Sequence, residues 1–304
     1  MRATKTLTHT WLQLLRAPNL FTVPGDPIAG FLLASAGAID GRLAAAVLAS
    51  LCFYAHGLLV NDLADLEEDR RERPRRPLPS GAVSVRHVRI AALGLAALAL
   101  LLCFLVSRLT FSLGLMLLAM VVFYNLWFKR FEIFGPLTMG LCRGLSLLLG
   151  ASAALSTSTI PALPLLAAAC LTLYIALVTN LARIETHYDP PLVPRALPFA
   201  GLILAVLPIF FLALDFTDLL SPLNLGLYAV SAYTLYIGYQ IHRRLTRERA
   251  PLIPPIIGQL IRLLLPLQAL WCLASRSEAG VAAAAILLVL WPISRQVSRR
   301  FYAS

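Results

Sequence analysis

The chain has 304 residues, of which 59% are hydrophobic and only 13% are charged. That charged fraction is about half of what soluble globular domains usually carry, so a soluble enzyme is excluded. The net charge of +11 could suit a nucleic acid, but the basic residues cluster in the connections between long apolar runs. A basic membrane surface explains this charge, and no nucleic-acid partner is expected.

Ten apolar runs, each about 18 residues or more, are long enough to cross a bilayer core about 30 Å thick. The sequence therefore predicts an all-α transmembrane bundle of nine or ten helices, and the short connections predict one domain over residues 1–304. No cleavable signal peptide is expected, because the first 15 residues lack a small-residue cleavage site. The predicted spans lie at 18–37, 42–61, 88–106, 109–128, 136–156, 160–180, 197–214, 222–241, 256–274 and 279–295.

The lysines and arginines are distributed very unevenly between the two sides of the membrane. With the loops numbered alternately, one side holds only Arg42, Arg108 and Arg276, and nearly all other basic residues fall on the opposite side. The positive-inside bias makes that opposite side cytoplasmic. With ten spans both termini lie there, whereas nine spans would leave the last arginines outside. The five cysteines fall in or beside the spans without a CxxC pair, which favours small buried hydrophobic residues.

The most polar stretch, NDLADLEEDRRERPRRPLPSG at 61–81, follows the second predicted span. If that span continues as a helix, Asp62, Asp65 and Asp69 share one face at i, i+3 and i+7, and Asn61 joins its edge. Three carboxylates at the end of a membrane helix repel one another and are costly to desolvate. A hard divalent cation relieves both costs, and oxygen ligands without His or Cys suit Mg²⁺. The stretch therefore predicts a magnesium site.

A basic, proline-rich loop, RPRRPLPSG, follows this acidic face directly. Its three prolines fix φ and are expected to hold the chain extended and stiff, which presents Arg73 and Arg76 in set positions. Arginine suits bidentate binding of phosphate, so the acidic face and the loop together predict a diphosphate site. The alternative is a solvated acidic turn paired with the following arginines. The helical spacing of the carboxylates and the stiffness of the loop favour the diphosphate site.

These residues resemble the first aspartate-rich motif of the UbiA-type intramembrane prenyltransferases, and the RPxRPLPSG ending is highly specific. The resemblance covers most of the chain. Arg16-Ala17-Pro18-Asn19 resembles the opening helix of the family, and YNLWFKRFEIFGPLTMGLCRGL at 124–145 resembles the segment between its fourth and fifth helices. The step from Asp69 to Arg76 is closer to the chlorophyll synthase and archaeal geranylgeranylglyceryl phosphate synthase branches than to the 4-hydroxybenzoate enzymes.

The resemblance implies a helical bundle around a central cavity, with its active site on the cytoplasmic side of a bacterial inner membrane. Mg²⁺ would bind a prenyl diphosphate there, and ionisation of its C1–O bond would give an allylic cation that alkylates a small aromatic or hydroxyl acceptor. The prenyl tail would lie in a lipid-open channel, and no obligate protein partner is inferred.

The resemblance also implies roles for individual side chains. Lys129 and Arg143 would bind the diphosphate and place positive charge where the leaving group becomes negative. Tyr124 would stabilise the allylic cation through its ring face, and Asn19 would line the acceptor cavity. The open alternatives are ordinary anchoring at the basic membrane face for the two cations and an interfacial position for the tyrosine.

A second aspartate-rich motif is expected after the sixth span, but the text there, VTNLARIETHYDPP, departs from it. Relatives of the chlorophyll synthase type would place aspartates at Asn180 and His187, and the archaeal type another at Arg183. These three residues, at i, i+3 and i+7, would instead bind the diphosphate directly. Glu185 and Asp189, at i, i+4, would form an alternative second Mg²⁺ site. The alternatives are polar residues that cap a membrane helix and an aspartate that merely precedes a proline break.

The sequence thus predicts Mg²⁺-dependent transfer of a prenyl group from a prenyl diphosphate to an unknown small acceptor within the membrane. One alternative is a transporter or lipid-binding protein that kept the fold and lost the chemistry. The rewritten second motif favours that alternative, and the intact first motif opposes it. Another is a diphosphate hydrolase in which water replaces the acceptor, and release of free prenyl alcohol would reveal it.

Overall fold

The computed structural model describes residues 7–184, 191–213, 218–248 and 252–300. Within these ranges the chain forms α-helices, one short 3-10 helix at Phe128–Arg130 and no strand. The α-helices are α1 Leu7–Leu14, α2 Ala17–Leu20, α3 Gly25–Ser35, α4 Gly41–Ala64, α5 Leu66–Glu72, α6 Val85–Val106, α7 Arg108–Leu126, α8 Phe134–Ala154, α9 Ala162–Arg183, α10 Leu192–Ala213, α11 Pro222–Arg247, α12 Ile253–Arg262, α13 Leu264–Leu273 and α14 Glu278–Arg300.

Eight segments in the described part of the chain are helical, long and apolar enough to cross a membrane. They are α4, α6, α7, α8, α9, α10, the pair α12 and α13 taken together, and α14. This architecture confirms the predicted all-α multispan bundle. Two of the ten predicted spans differ from these eight segments.

The first difference is the span predicted at 18–37, which is broken into α2 and α3 but still runs the length of the bundle, because Arg16 lies beside Asp62 at one end of α4 and Asp40 caps the other end. Pro24 at the start of α3 has no N–H to donate, and the 11 residues of α3 reach only about 16 Å at 1.5 Å per residue. The second difference is the span predicted at 222–241. Helix α11 there has 26 residues, but its tyrosines and C-terminal arginines make it more polar than the eight apolar segments.

Helix α8 lies at the centre of the bundle, against α3, α7 and α9. Small residues allow this close approach. A Cβ added at Gly30 of α3 would overlap the carbonyl oxygen of Leu147, and a Cβ added at Gly150 of α8 would overlap that of Pro27. Backbone-to-backbone packing of this kind is typical of membrane helices, which associate through small residues. This packing fixes the position of α3 against α8.

Helix α4 carries the acidic motif at its C-terminal end. Its N-terminus is fixed by Asp40, whose carboxylate accepts hydrogen bonds from the backbone N–H and the guanidinium of Arg42 at 2.7 to 2.9 Å. The side-chain hydrogen bond from Arg42 lowers the pKa of the Asp40 carboxyl. This cap lies at the opposite end of α4 from the three aspartates of the motif.

Candidate active site

The acidic motif lies where α4 ends and α5 begins. Sequence reasoning considered one helix that continues through all three aspartates, but the helix is interrupted at Asp65, which leaves the helical region with φ −93° and ψ 4°. The path nevertheless stays close to helical, since the Asp65 N–H donates to the Asn61 carbonyl at 3.0 Å and the Asp69 N–H donates to the Asp65 carbonyl at 2.8 Å. The aspartates therefore remain within about two turns of one another.

Two of the three carboxylates are held by cations from other segments. Lys129, in the short 3-10 helix between α7 and α8, forms an ion pair with Asp65, which also accepts a hydrogen bond of 3.1 Å from the Asn61 amide. Arg76 donates to both oxygens of Asp69 at 3.0 and 2.7 Å, and the Asp69 side chain is only 6% exposed. The predicted diphosphate ligands Lys129 and Arg76 thus lie directly beside the predicted metal ligands.

The proline-rich basic loop is folded into turns and is not extended, which corrects the sequence-based expectation. The Arg76 N–H donates to the Arg73 carbonyl at 3.0 Å, and the Ser80 N–H donates to the Arg76 carbonyl at 3.0 Å. Leu78 is buried against the ends of α1, α4 and α6, so an apolar anchor in the middle of the loop bends it back onto the bundle. Proline fixes φ equally well in turns and in extended chain, so the prolines alone did not distinguish an extended loop from a folded one. Arg76 faces Asp69, whereas Arg73 is exposed.

The third carboxylate, Asp62, faces Arg16, a residue to which sequence reasoning assigned no role. The Arg16 Nη2 lies 3.9 Å from the Asp62 Oδ1, which is beyond hydrogen-bond distance. Arg16 joins α1 to α2 with its backbone in the left-handed region, at φ 45° and ψ 55°. A left-handed conformation in a residue with a Cβ was not visible in the sequence, because no glycine or asparagine marks it.

A cavity of about 160 Å³ opens beneath the motif, between α4, α7, α8 and the break before α3. Along α4 it extends from Asn61 to Ser50, about 16 Å at the helical rise of 1.5 Å per residue. Its wall is mostly apolar, with Phe53, Leu117 and Val121 among the lining residues. A hydrogen bond of 2.6 Å joins Ser50 to the facing serine of α8. The dimensions and polarity suit a hydrocarbon tail whose charged head remains at the motif.

Tyr124 lines this cavity, and Asn19 contacts a residue that lines it. Tyr124 lines it near the end of α7, close to Asn61 and Arg16. Asn19 of α2 hydrogen-bonds the hydroxyl of Tyr54, which is also a lining residue. The structure therefore places Tyr124 in the cavity wall and Asn19 behind it, and the roles of both residues stay predictions.

Arg143 also lines the cavity, but its guanidinium is engaged inside the protein. Its Nε lies 2.9 Å from the carboxylate of Asp26 in α3, and its Nη2 donates to the Thr22 carbonyl at 2.6 Å. Gln268 of α13 donates to the same carbonyl at 2.7 Å and to Asp26. This geometry favours a structural role for Arg143 over its predicted contact with diphosphate. Sequence reasoning missed Asp26. The signal that could have revealed it is its position as a lone carboxylate inside the first predicted span, since charges at that depth are normally paired.

The residues of the second motif are described only in part. Asn180 and Arg183 lie in the last turn of α9, both half-buried. The Arg183 Nη2 is 4.0 Å from Glu132, whose side chain is 90% exposed, so this ion pair is weak. Glu185, His187 and Asp189, the other predicted ligands, lie outside the described residues. Their predicted roles in binding metal or diphosphate stay predictions.

The donor set at the motif fits Mg²⁺ in its chemistry. Three carboxylates and the carbonyl oxygen of the Asn61 amide are hard oxygen donors of the type that Mg²⁺ prefers. Each carboxylate faces a cation, and across the described ranges no three His, Cys, Asp or Glu side chains converge closely enough to form a metal site. The aspartates would therefore have to turn from their cations toward an ion, which would direct Lys129 and Arg76 toward an anionic ligand.

The chain is similar to known proteins in both sequence and fold. A sequence model described as the UbiA prenyltransferase family matches residues 27–188, more than half of the chain. A digeranylgeranylglyceryl phosphate synthase from Methanopyrus kandleri is 30% identical over 224 residues, which cover 71% of this chain and 78% of the relative. One of the same name from Metallosphaera sedula is 34% identical over 143 residues, 47% of this chain and 50% of the relative. The chain thus spans about half the length of several curated relatives that it matches.

Solved structures agree on the fold. A UbiA homolog from Aeropyrum pernix K1 superposes with a TM-score of 0.66 at 19% identity, over 83% of this chain and 96% of that one. A UbiA homolog from Archaeoglobus fulgidus bound to GPP and Mg²⁺ superposes with a TM-score of 0.58 at 19% identity, over 91% of this chain and 99% of that one. Together with the eight apolar helices, these matches make the chain an integral, multi-pass membrane protein.

Proposed function

Because the chain belongs to the UbiA prenyltransferase family, we propose that it transfers a prenyl group from a prenyl diphosphate to a hydroxyl of a glyceryl phosphate lipid, with Mg²⁺ as cofactor. One observation carries this proposal. Three aspartates, each facing a cation, lie next to the end of a mostly apolar cavity that Asn61 and Arg16 line. A diphosphate with a hydrocarbon tail has the charge distribution that this arrangement complements.

The names of the relatives support the choice of acceptor. The sequence left open an aromatic or a hydroxyl acceptor, and both curated relatives described above are digeranylgeranylglyceryl phosphate synthases. A product of that name carries prenyl groups on a glyceryl phosphate. This favours a lipid hydroxyl as the acceptor.

The donor side of the reaction uses the residues of the motif. Asp62, Asp65 and Asp69 would hold Mg²⁺, which neutralises the negative charge that builds on a leaving diphosphate. Lys129 and Arg76 would then bind the phosphate oxygens, adding fixed positive charge at the same place. A homolog of this fold has been solved with GPP and Mg²⁺, which supports this arrangement.

The acceptor side uses the cavity. The C1–O bond to the diphosphate breaks, a bond forms between C1 and the acceptor oxygen, and the hydroxyl proton leaves with the departing diphosphate. Tyr124 would face the allylic cation with its ring. The apolar wall around Leu117 and Val121 would exclude water, which otherwise captures the cation and gives a free prenyl alcohol.

The proposed side of the membrane rests on the distribution of charge. With the loops numbered alternately over the ten predicted spans, the acidic motif and its basic loop fall on the side that holds nearly all lysines and arginines. The positive-inside bias supports a cytoplasmic site. The sequence-based expectation was a bacterial inner membrane. We propose the cytoplasmic face of a cell membrane, bacterial or archaeal.

Alanine variants of the motif test the donor site. Asp62→Ala, Asp65→Ala and Asp69→Ala should each lower transfer of a labelled prenyl group by about 100-fold or more, because even the partners of metal ligands typically contribute about 10- to 100-fold. Glu67→Ala is the matched control, since Glu67 lies in α5 with a side chain that is 75% exposed. Its activity should equal that of the parent. Unchanged activity in all three aspartate variants would refute the metal site.

A further inference from the structure

Arg16 has an unusual backbone for its residue type. Its φ of 45° and ψ of 55° lie in the left-handed region, which a Cβ disfavours. The conformation is held on both sides, because the Arg16 N–H donates to the Gln13 carbonyl at 3.1 Å and the Asn19 N–H donates to the Arg16 carbonyl at 2.8 Å. Strained backbone of this kind concentrates at functional sites, where it directs a side chain.

The side chain of Arg16 points to the mouth of the cavity. It lines the cavity together with Asn61 and Tyr124 and remains 31% exposed. Its nearest carboxylate oxygen, on Asp62, is 3.9 Å away, so the guanidinium makes no hydrogen bond to the motif. Its planar fork of five N–H donors is therefore available to an anion that reaches the mouth.

The other two cations at the motif are more strongly engaged. Arg76 contacts both oxygens of Asp69, and Lys129 pairs directly with Asp65. Both cations thus contact the two aspartates that lie at or in α5, Asp65 and Asp69. Arg16 approaches from the N-terminal segment and lies beside Asp62, so its position is separate from those of Arg76 and Lys129.

A buried network fixes the segment that carries Arg16. The break between α2 and α3 leaves the Thr22 carbonyl without a helical partner, and Arg143 and Gln268 donate to it at 2.6 and 2.7 Å. Asp26 balances the charge of Arg143 at 2.9 Å. Side chains of α8 and α13, two helices distant from the break in sequence, thus hold it in one place, which restrains the segment that carries Arg16.

We propose that Arg16 binds the phosphate group of the acceptor lipid and holds its hydroxyl at the cavity mouth, an inference that rests on the proposed function. A free hydroxyl on a glycerol backbone is at most two carbons from the carbon that bears the phosphate. A phosphate held by Arg16 therefore keeps the hydroxyl close to the site where C1 of the donor would lie. Arginine suits this task because its fork matches two phosphate oxygens.

The test compares two acceptors, a glyceryl phosphate lipid and the same lipid without its phosphate. Arg16→Gln should raise KM for the phosphorylated lipid by about 10- to 100-fold, the range for a charge-assisted hydrogen-bond pair, and leave KM for the prenyl diphosphate within about twofold. With the dephosphorylated lipid the variant and the parent should be alike. Arg16→Gly removes the side chain and relieves the strained φ, so it should fold at least as well and show the same selective loss. Arg130→Gln, an exposed cation next to Lys129, is the control.

Two results would overturn the inference. One is an increase in KM for the prenyl diphosphate without an increase for the acceptor, which would make Arg16 a donor ligand. The other is an equal loss with both lipids. Equilibrium binding of the labelled phosphorylated lipid, measured without turnover, separates this inference from the proposed function. If the parent binds the lipid in an Arg16-dependent way but transfers nothing, the proposed function fails and the inference stands. If binding is the same in parent and variants, the inference fails.

Discussion

Replacing Asp26 with asparagine should destabilise the bundle, because the Arg143 guanidinium would lose its only close carboxylate among the described contacts. The Asp26 side chain is fully buried, the Arg143 side chain is 9% exposed, and the two atoms that pair are 2.9 Å apart. Removing one partner of such a buried pair typically costs about 3–5 kcal/mol. We expect about 3 kcal/mol, the low end, because Arg143 keeps its hydrogen bond to the Thr22 carbonyl.

The loss can be measured by titrating purified protein in mild detergent with a denaturing detergent and following helix content by circular dichroism. A loss of about 3 kcal/mol changes the unfolding equilibrium by roughly 100-fold. The double variant Asp26→Asn/Arg143→Gln should lose less than the sum of the two single variants, since no unpaired charge remains buried.

An exposed ion pair supplies the control for Asp26→Asn. Asp40 and Arg42 are 2.7 Å apart, but their side chains are 46% and 40% exposed, so water screens the pair and its contribution is small. Asparagine also caps a helix as well as aspartate does. Asp40→Asn should therefore leave the transition almost unchanged. If Asp26→Asn were equally harmless, the proposal that the buried network holds the break before α3 would be wrong.

Two further predictions concern packing and the second motif. Gly30→Ala should lower the free energy of unfolding by about 1–3 kcal/mol through overpacking, because its Cβ would overlap the Leu147 carbonyl. The control Gly94→Ala, with open space around it, should leave that free energy unchanged or raise it by up to about 1 kcal/mol. Equal effects of the two variants in the same titration would contradict the close helix crossing. Arg183→Ala should weaken prenyl diphosphate binding by about tenfold, the loss of one charge-assisted contact, most strongly at low Mg²⁺, while Glu132→Ala should not. Parental affinity of the Arg183 variant at every Mg²⁺ concentration would make that arginine a surface anchor.

Much of the site was predictable because its chemistry is local in sequence. The helical spacing of Asp62, Asp65 and Asp69 holds nearly unchanged across the interruption at Asp65, since the backbone hydrogen bonds continue through it. The pairing of Arg76 with Asp69, seven residues apart, uses only the motif and its loop. Lys129 comes from a different part of the chain, and only the family resemblance indicated it.

The contacts that the sequence did not reveal join residues far apart in the chain. The partner of Arg143 is a carboxylate in α3, and its second contact is a carbonyl freed by a helix break. Neither contact is visible from the sequence around Arg143, so the family resemblance suggested an available cation. The turns of the basic loop depend on the burial of Leu78, which is a tertiary contact. The role of Arg16 depends on a left-handed backbone that its residue type does not favour.

The most direct test of the account is the identity of the product. Purified protein is incubated with labelled geranylgeranyl diphosphate and a glyceryl phosphate lipid that carries one free hydroxyl, with Mg²⁺ or with a chelator, and the lipids are separated and identified by mass. We predict that the label enters a new ether on the glyceryl phosphate in the presence of Mg²⁺, and that the chelator abolishes this product. Free geranylgeraniol as the main product would indicate a hydrolase, and quantitative recovery of unreacted diphosphate would contradict the proposal that this chain is an active prenyltransferase.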